Sequence, residues 1–192
     1  MTTAETPDAL RYADDHRTSR QALHDLADPL SDAQFNWKPR PAAWSVAECV
    51  THLNLVAREH LAPLEAAVAD GAPRGTGPFR YGFVARKLMD AIAPDGPDVR
   101  TTTHAHLDPS TGAARSHLDK AETLAAFDSY VDRYVAVCER ADGLDLARVK
   151  VRYPFMRLLR LPLGAFLTIT GGHALRHVEQ ARRVATADAF PS

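Results

Sequence analysis

His173 and His177 stand four residues apart in GGHALRHVEQ, a segment whose apolar spacing predicts helix. Side chains at i and i+4 share one helix face, a turn apart, so two imidazoles placed this way can hold one metal ion. A third ligand is available in His52, within the helical stretch WSVAECVTHLNLVAREHL. Three histidines from two helices make an open metal site, with a position left for water or substrate, whereas structural zinc usually takes four protein ligands. The competing reading is a pair of polar residues on a solvated face. Against it, Phe166, Ile169, His173, His177, Gln180 and Val184 are predicted to share one face, so the histidines fall where core residues belong. Buried imidazoles need hydrogen-bond partners, and two on a core stripe are hard to satisfy without a metal.

Other residues with chemical potential rank below these three. Gln180 reads either as an outer partner that orients a ligand or as a surface amide. Arg176 lies about 100° around the helix from each histidine and reads as exposed or salt-bridged. Gly171 and Gly172 precede His173; glycine inside a helix costs roughly 1 kcal/mol against alanine, and close helix packing explains it slightly better than open space above a metal. His60, two turns from His52, reads first as an ordinary helix-end histidine, with a place facing the same cavity as the alternative. His104 and His106 would share one side of an extended segment and read as solvated loop residues, with an approach to the metal from the loop as the alternative. Lys150, Arg152, Arg157 and Arg160 form a basic run, a solvated surface by default and an attractor of anionic substrate as the alternative. Cys49 and Cys138 are the only cysteines. Both lie in apolar helical patterns and read as reduced, buried thiols with no activating context. HALRH is not a zincin motif, because Ala174 stands where the glutamate would be. No glycine-rich phosphate loop precedes a helix, so nucleotide binding has no support.

Four long amphipathic helices are needed to position this site. The first is predicted over about Asp8–Ala27. The connector LSDAQFNWKPRPAAWS reads as turn-rich; Pro39 and Pro41 forbid helix there, and Trp37 and Trp44 anchor it against the bundle. Ser45 and Glu48 form a capping-box pattern that starts the second helix, and Val46, Val50, Leu53, Ala57, Leu61, Leu64 and Val68 then recur at spacings of three and four. GAPRGTGP ends it. A short helix follows over about Tyr81–Ile92, and Thr101–His106 reads as a short extended piece in a long, turn-rich connection. The third long helix spans about Lys120–Ala141, with Gly143 as its stop. VKVRYPFMRLLRLPLG, broken by Pro154 and Pro162, reads as irregular. The fourth helix runs over about Gly164–Ala185. The reading is all-α: a single four-helix-bundle domain over residues 1–192, with a crossover between the second and third long helices long enough to pass from one end of a bundle to the other.

The chain has 192 residues and a formal net charge of −1. That balance gives no basic excess for phosphate backbones, so nucleic acid is not an expected partner. No stretch approaches the roughly 18 apolar residues of a membrane span, and no membrane partner is expected. The polar, acidic N-terminal sequence lacks the features of a secretory signal, and the expected location is cytoplasmic.

Two blocks, taken in order, resemble the DinB/YfiT-like family of metal-binding four-helix bundles. The first is the proline, Trp-Ser and His-Leu pattern at Pro41, Trp44, Ser45, His52 and Leu53. The second is the His, His, Gln spacing at His173, His177 and Gln180. The resemblance runs from the first helix to about Val184. It implies a long crossover, a divalent metal (zinc or nickel) held by His52, His173 and His177, and a homodimer. It also implies a small-molecule substrate. The activity expected by resemblance is transfer or isomerisation with a low-molecular-weight thiol such as bacillithiol or mycothiol, or metal-assisted hydrolysis. The alternative from another class is a non-catalytic stress-response protein that binds a metal or small molecule, its metal serving only the fold. The segment Thr101–Thr111 and the proline-rich stretch after Gly143 match nothing in the family pattern.

Overall fold

Six α-helices and one two-stranded hairpin make up the described chain. The computed structural model describes residues 9–69, 71–93, 104–110, 117–156 and 158–192. The helices are α1 (Ala9–Ala27), α2 (Asp32–Asn36), α3 (Val46–Ala67), α4 (Phe83–Ile92), α5 (Lys120–Ala141) and α6 (Leu163–Ala185), and the strands are β1 (Lys150–Arg152) and β2 (Arg160–Pro162). The four long helices α1, α3, α5 and α6 form a bundle in which α1 and α3 each pack against both α5 and α6. Thus α1 lies diagonally across from α3, and α5 from α6.

Helix directions can be read from the ties between them. Arg17 pairs with Glu139, Arg20 with Asp132 and His24 with Asp128, so α1 and α5 run antiparallel. Asn54 donates to the Thr123 carbonyl and Arg133 pairs with Glu65, so α3 and α5 run parallel. His16 meets Thr170 midway along α1 and α6, and the start of α1 shares a buried cluster with the start of α6, so these two are parallel as well. Parallel neighbours cannot be joined by a short loop. The chain between the end of α3 and the start of α5, residues 68–119, must therefore travel the length of the bundle, as expected from sequence.

The elements begin where the sequence signals them. The side chain of Ser45 accepts from the Glu48 amide and Glu48 accepts from the Ser45 amide, closing the capping box at the start of α3. Glu48 is also paired with Lys38 at 2.9 Å. Ser45 is 2% exposed, so Ser45→Ala should lower stability by about 1 kcal/mol or somewhat more, read as a shift in urea midpoint without a change in slope. Gly143 takes φ +73° just past α5, where only glycine is unstrained. The long helices match their predicted spans to within a residue or a few at each end. Asp8 lies outside the described residues.

Three expectations are corrected. The connector after α1 contains a real helix, α2, because Ser31 and Gln34 form a second capping box. The proline-interrupted segment is not irregular: β1 and β2 pair antiparallel, Arg152 opposite Arg160, and Pro162 ends β2 immediately before α6 starts. Among the described residues of the stretch read as extended, Ala105–Leu107 is a turn of 3₁₀ helix, and residues 101–103 lie outside the described residues.

The core has two halves. One gathers Tyr12, Leu61, Leu64, Leu161, Leu163 and Phe166; the other gathers Leu23, Phe35, Val50, Leu53, Phe127 and Val178. Between them, at mid-height, sits a layer of buried polar side chains, His16, His52, His60 and Thr170. Gly171 belongs to the same level: a Cβ there would come within 2.9 Å of the Asp15 side chain, so the glycine serves close packing of α6 on α1.

Candidate metal centre

His52 comes from the second turn of α3, and His173 and His177 from successive turns of α6. The packing of α3 on α6 brings all three together. His173 Nε2 lies 3.3 Å from His52 Nε2 and 3.1 Å from His177 Nε2. One nitrogen of each ring can be chosen so that all three lie within 4.8 Å of one another. Two nitrogens bound at about 2.0–2.1 Å to one tetrahedral ion stand about 3.3 Å apart, so the two closest separations suit a shared ion.

Proton bookkeeping points the same way. His52 Nδ1 lies 2.8 Å from the Leu107 carbonyl. A carbonyl only accepts, so Nδ1 carries the proton and Nε2 presents a lone pair to the cluster. This is the outer hydrogen bond that a metal-bound histidine usually makes. A proton on His173 Nε2 can satisfy one neighbouring nitrogen, and the other lone pair then faces it uncompensated. A cation satisfies all three. The donor set fits a divalent ion of the zinc or nickel type, for which imidazole is a suitable ligand.

All three rings are held neutral, the form that ligates. Burial lowers His52 below its ordinary value, against the opposing pull of its bond to Leu107. Burial, with His177, His52, His60 and Arg176 nearby, lowers His173 well below the usual range. Burial and His52 push His177 down to about 3. His173 and His177 keep some solvent-accessible surface, yet protein surrounds enough of each ring for desolvation to dominate. The exposed fringe leaves the cluster reachable from outside. Trp44 walls one side, its ring centroid 4.9 Å from that of His52 and 5.8 Å from that of His177.

Gln180 nudges His177 back towards protonation, but His177 Nδ1 is buried without a partner in hydrogen-bond geometry. Arg176 is half-buried and donates to the Ala91 carbonyl at 3.0 Å, tying α6 to α4. His104 and His106 are exposed and do not join the cluster; His104 stacks on Phe155 instead. The reading of His60 as a helix-end histidine is corrected. It is 3% exposed, its two ring nitrogens have no partner, and it sits against Phe155 and Phe166. His60 and His173 both line a cavity of about 20 Å³ with His16, Tyr130 and Thr170, enough for a water molecule. Cys49 and Cys138 are buried and unpaired, and desolvation pushes each thiol up to about 12, which removes them as nucleophiles.

Sequence reasoning missed two contributors. The Leu107 carbonyl is a backbone group, invisible to residue type. Trp44 was read only as an anchor, although it precedes Ser45 in the same motif that supplies His52.

Comparison with known proteins extends this picture. No curated protein matches the chain. A solved structure described as YfiT from Bacillus subtilis, "a probable metal-dependent hydrolase with an unusual four-helix bundle topology", superposes over 100% of this chain and 95% of its own, with a TM-score of 0.61 at 13% identity. At that identity the likeness speaks for the fold. The family model of the DinB superfamily matches residues 15–181, most of the bundle and all three clustered histidines. The chain belongs to the DinB superfamily.

Proposed function

We propose that this protein is a metal-dependent enzyme whose His52, His173 and His177 hold one divalent ion. The observation that carries the reading is the convergence of three neutral imidazoles at a half-open site, with His52 oriented from outside by the Leu107 carbonyl. Bound there, a divalent ion supplies Lewis-acid polarisation of a substrate carbonyl and lowers the pKa of a ligated water or thiol. The chain's own part is to keep the three rings deprotonated by burial while His173 and His177 keep some surface towards solvent.

Hydrolysis is the reaction that needs fewest additional components, and it accords with the description of YfiT as a probable metal-dependent hydrolase. The finer reading, transfer or isomerisation with bacillithiol or mycothiol, rests on family resemblance. With both cysteines buried, a thiol nucleophile would have to arrive from outside.

The test is a chelator-stripped preparation assayed before and after reloading with zinc or nickel. Esters and amides are offered without thiol, and electrophiles with bacillithiol, mycothiol or glutathione. Turnover that appears only on reloading is the expected result. Turnover that persists in the stripped protein would overturn the metal mechanism, and none under any condition would favour a structural or binding role for the ion.

A further inference from the structure

The β1–β2 hairpin breaks a rule of strand pairing. Arg152 and Arg160 are direct cross-strand partners, and like charges placed opposite one another destabilise a sheet. Both are exposed, as are Arg148 and Lys150, and among the described residues none of the four makes an ion pair. The sequence supplies no relief: there is no aspartate or glutamate between Asp145 and Glu179, while Arg157 adds a fifth basic residue between Arg148 and Arg160. In a chain with a net charge of −1, this is a concentrated positive patch.

Among the described residues of the loop that joins the strands, the exposed side chains are apolar. Leu158 is 99% exposed and Met156 is 54% exposed. Backbone hydrogen bonds tie the loop's described residues together: Tyr153 donates to the Leu159 carbonyl, Met156 to that of Tyr153, and Leu159 to that of Met156. It also has an inward side, because Phe155 packs 5.2 Å from His60 between ring centroids. Leu158 therefore stands in water in the turn that joins two strands bearing exposed Lys150, Arg152 and Arg160.

We propose that this hairpin is a docking surface for an anionic lipid bilayer. The basic residues would face the head groups, and Leu158 and Met156 would enter the boundary with the acyl chains. Anionic lipid removes the electrostatic penalty of the Arg152–Arg160 pair, and a convex apolar tip suits insertion into a deformable surface. Nucleic acid would answer the charge but not the apolar tip. No helix of the described residues is long and apolar enough to cross a membrane, so the contact is peripheral. It departs from the expectation of no membrane partner, which rested only on the lack of a spanning segment.

The experiment is co-sedimentation of the full chain with phosphatidylcholine vesicles with and without phosphatidylglycerol, at low and high salt. Binding should require phosphatidylglycerol and weaken with salt. Each basic residue near such a surface is worth about a fivefold change in partitioning, so Arg160→Glu, a change of two charges, should lower it about 25-fold. The same substitution places an opposite charge across from Arg152 and should not weaken the hairpin, so a loss of binding is not a loss of fold. Leu158→Ser, at a fully exposed position, should lower binding several-fold and leave thermal stability unchanged. Equal binding to neutral and anionic vesicles, or unchanged binding by either variant, overturns the proposal. So does binding of a short DNA duplex that falls with Arg160→Glu but is indifferent to Leu158→Ser.

Discussion

Replacing His173 with alanine is expected to reduce bound metal from about one ion per chain to near zero, with the largest effect of the three histidine substitutions. Its Nε2 is the nitrogen in contact with both other rings, whereas no contact between His52 and His177 nitrogens is as close. Loss of an outer hydrogen-bond partner typically costs 10–100-fold in metal affinity, and loss of a ligand should exceed that. His52→Ala and His177→Ala should follow in the same direction. Elemental analysis after gel filtration checks the content, and competition with a chromophoric chelator checks the affinity. Metal content unchanged in all three variants would remove the site. His104→Ala serves as the control: that residue is exposed, outside the cluster, and its loss should leave metal binding intact.

The second large effect is acid lability of the metal-free protein. His16 and His60 are buried and held neutral, each lowered by desolvation to about 3. In the unfolded chain they titrate near 6.5. Between these values the unfolded state takes up protons that the native state refuses, so stability falls as pH drops from about 6.5 towards 3. At pH 5 the cost is about 2 kcal/mol per histidine, and about 4 kcal/mol for these two, a large share of an ordinary domain's stability. His24 works with the opposite sign. Burial alone would lower its pKa, but its contacts with Asp128 and Asp28 outweigh burial and raise it. Its contribution is present below about 6.5 and fades as pH rises through its folded value, so it offsets only part of the loss. Urea unfolding of chelator-treated protein at pH 7.5 and pH 5 should show the midpoint falling steeply, and His60→Phe should flatten that fall. Equal midpoints at the two pH values would contradict the neutral burial of these rings.

The legibility of this fold in its sequence depended on what kind of signal each element carries. Helices α3 and α5 announce themselves through repeated apolar spacing, and α3 also through its capping box, so local chemistry and tertiary packing agree. The hairpin was hidden because three-residue strands are too short to show alternation, and its prolines, read as breakers, sit just outside the first strand and at the end of the second. α2 was hidden because five residues hold barely one turn, although Ser31 and Gln34 did carry its signal. At the site, the i, i+4 spacing of His173 and His177 was legible because helix geometry is local. His52 was legible because it lies in a motif with Trp44 and Ser45. His60 was legible only as an alternative, because its burial depends on how α3 meets Phe155 and Phe166, segments about a hundred residues away. The Leu107 carbonyl was out of reach for the same reason.

The parallel pairing of the first and last long helices has a consequence for the order of events as the chain is made. His16 on α1 meets Thr170 on α6, residues separated by 154 positions. α1 is therefore exposed along one flank until almost the whole chain has emerged from the ribosome. His52 likewise waits for its two partners, 121 or more positions later. Contacts of such sequence separation close late and slow folding relative to an up-and-down bundle of the same size. The ligand set is thus complete only in a finished molecule. A nascent or truncated chain ending before α6 has one of the three imidazoles, and so no means of capturing the ion prematurely at this centre.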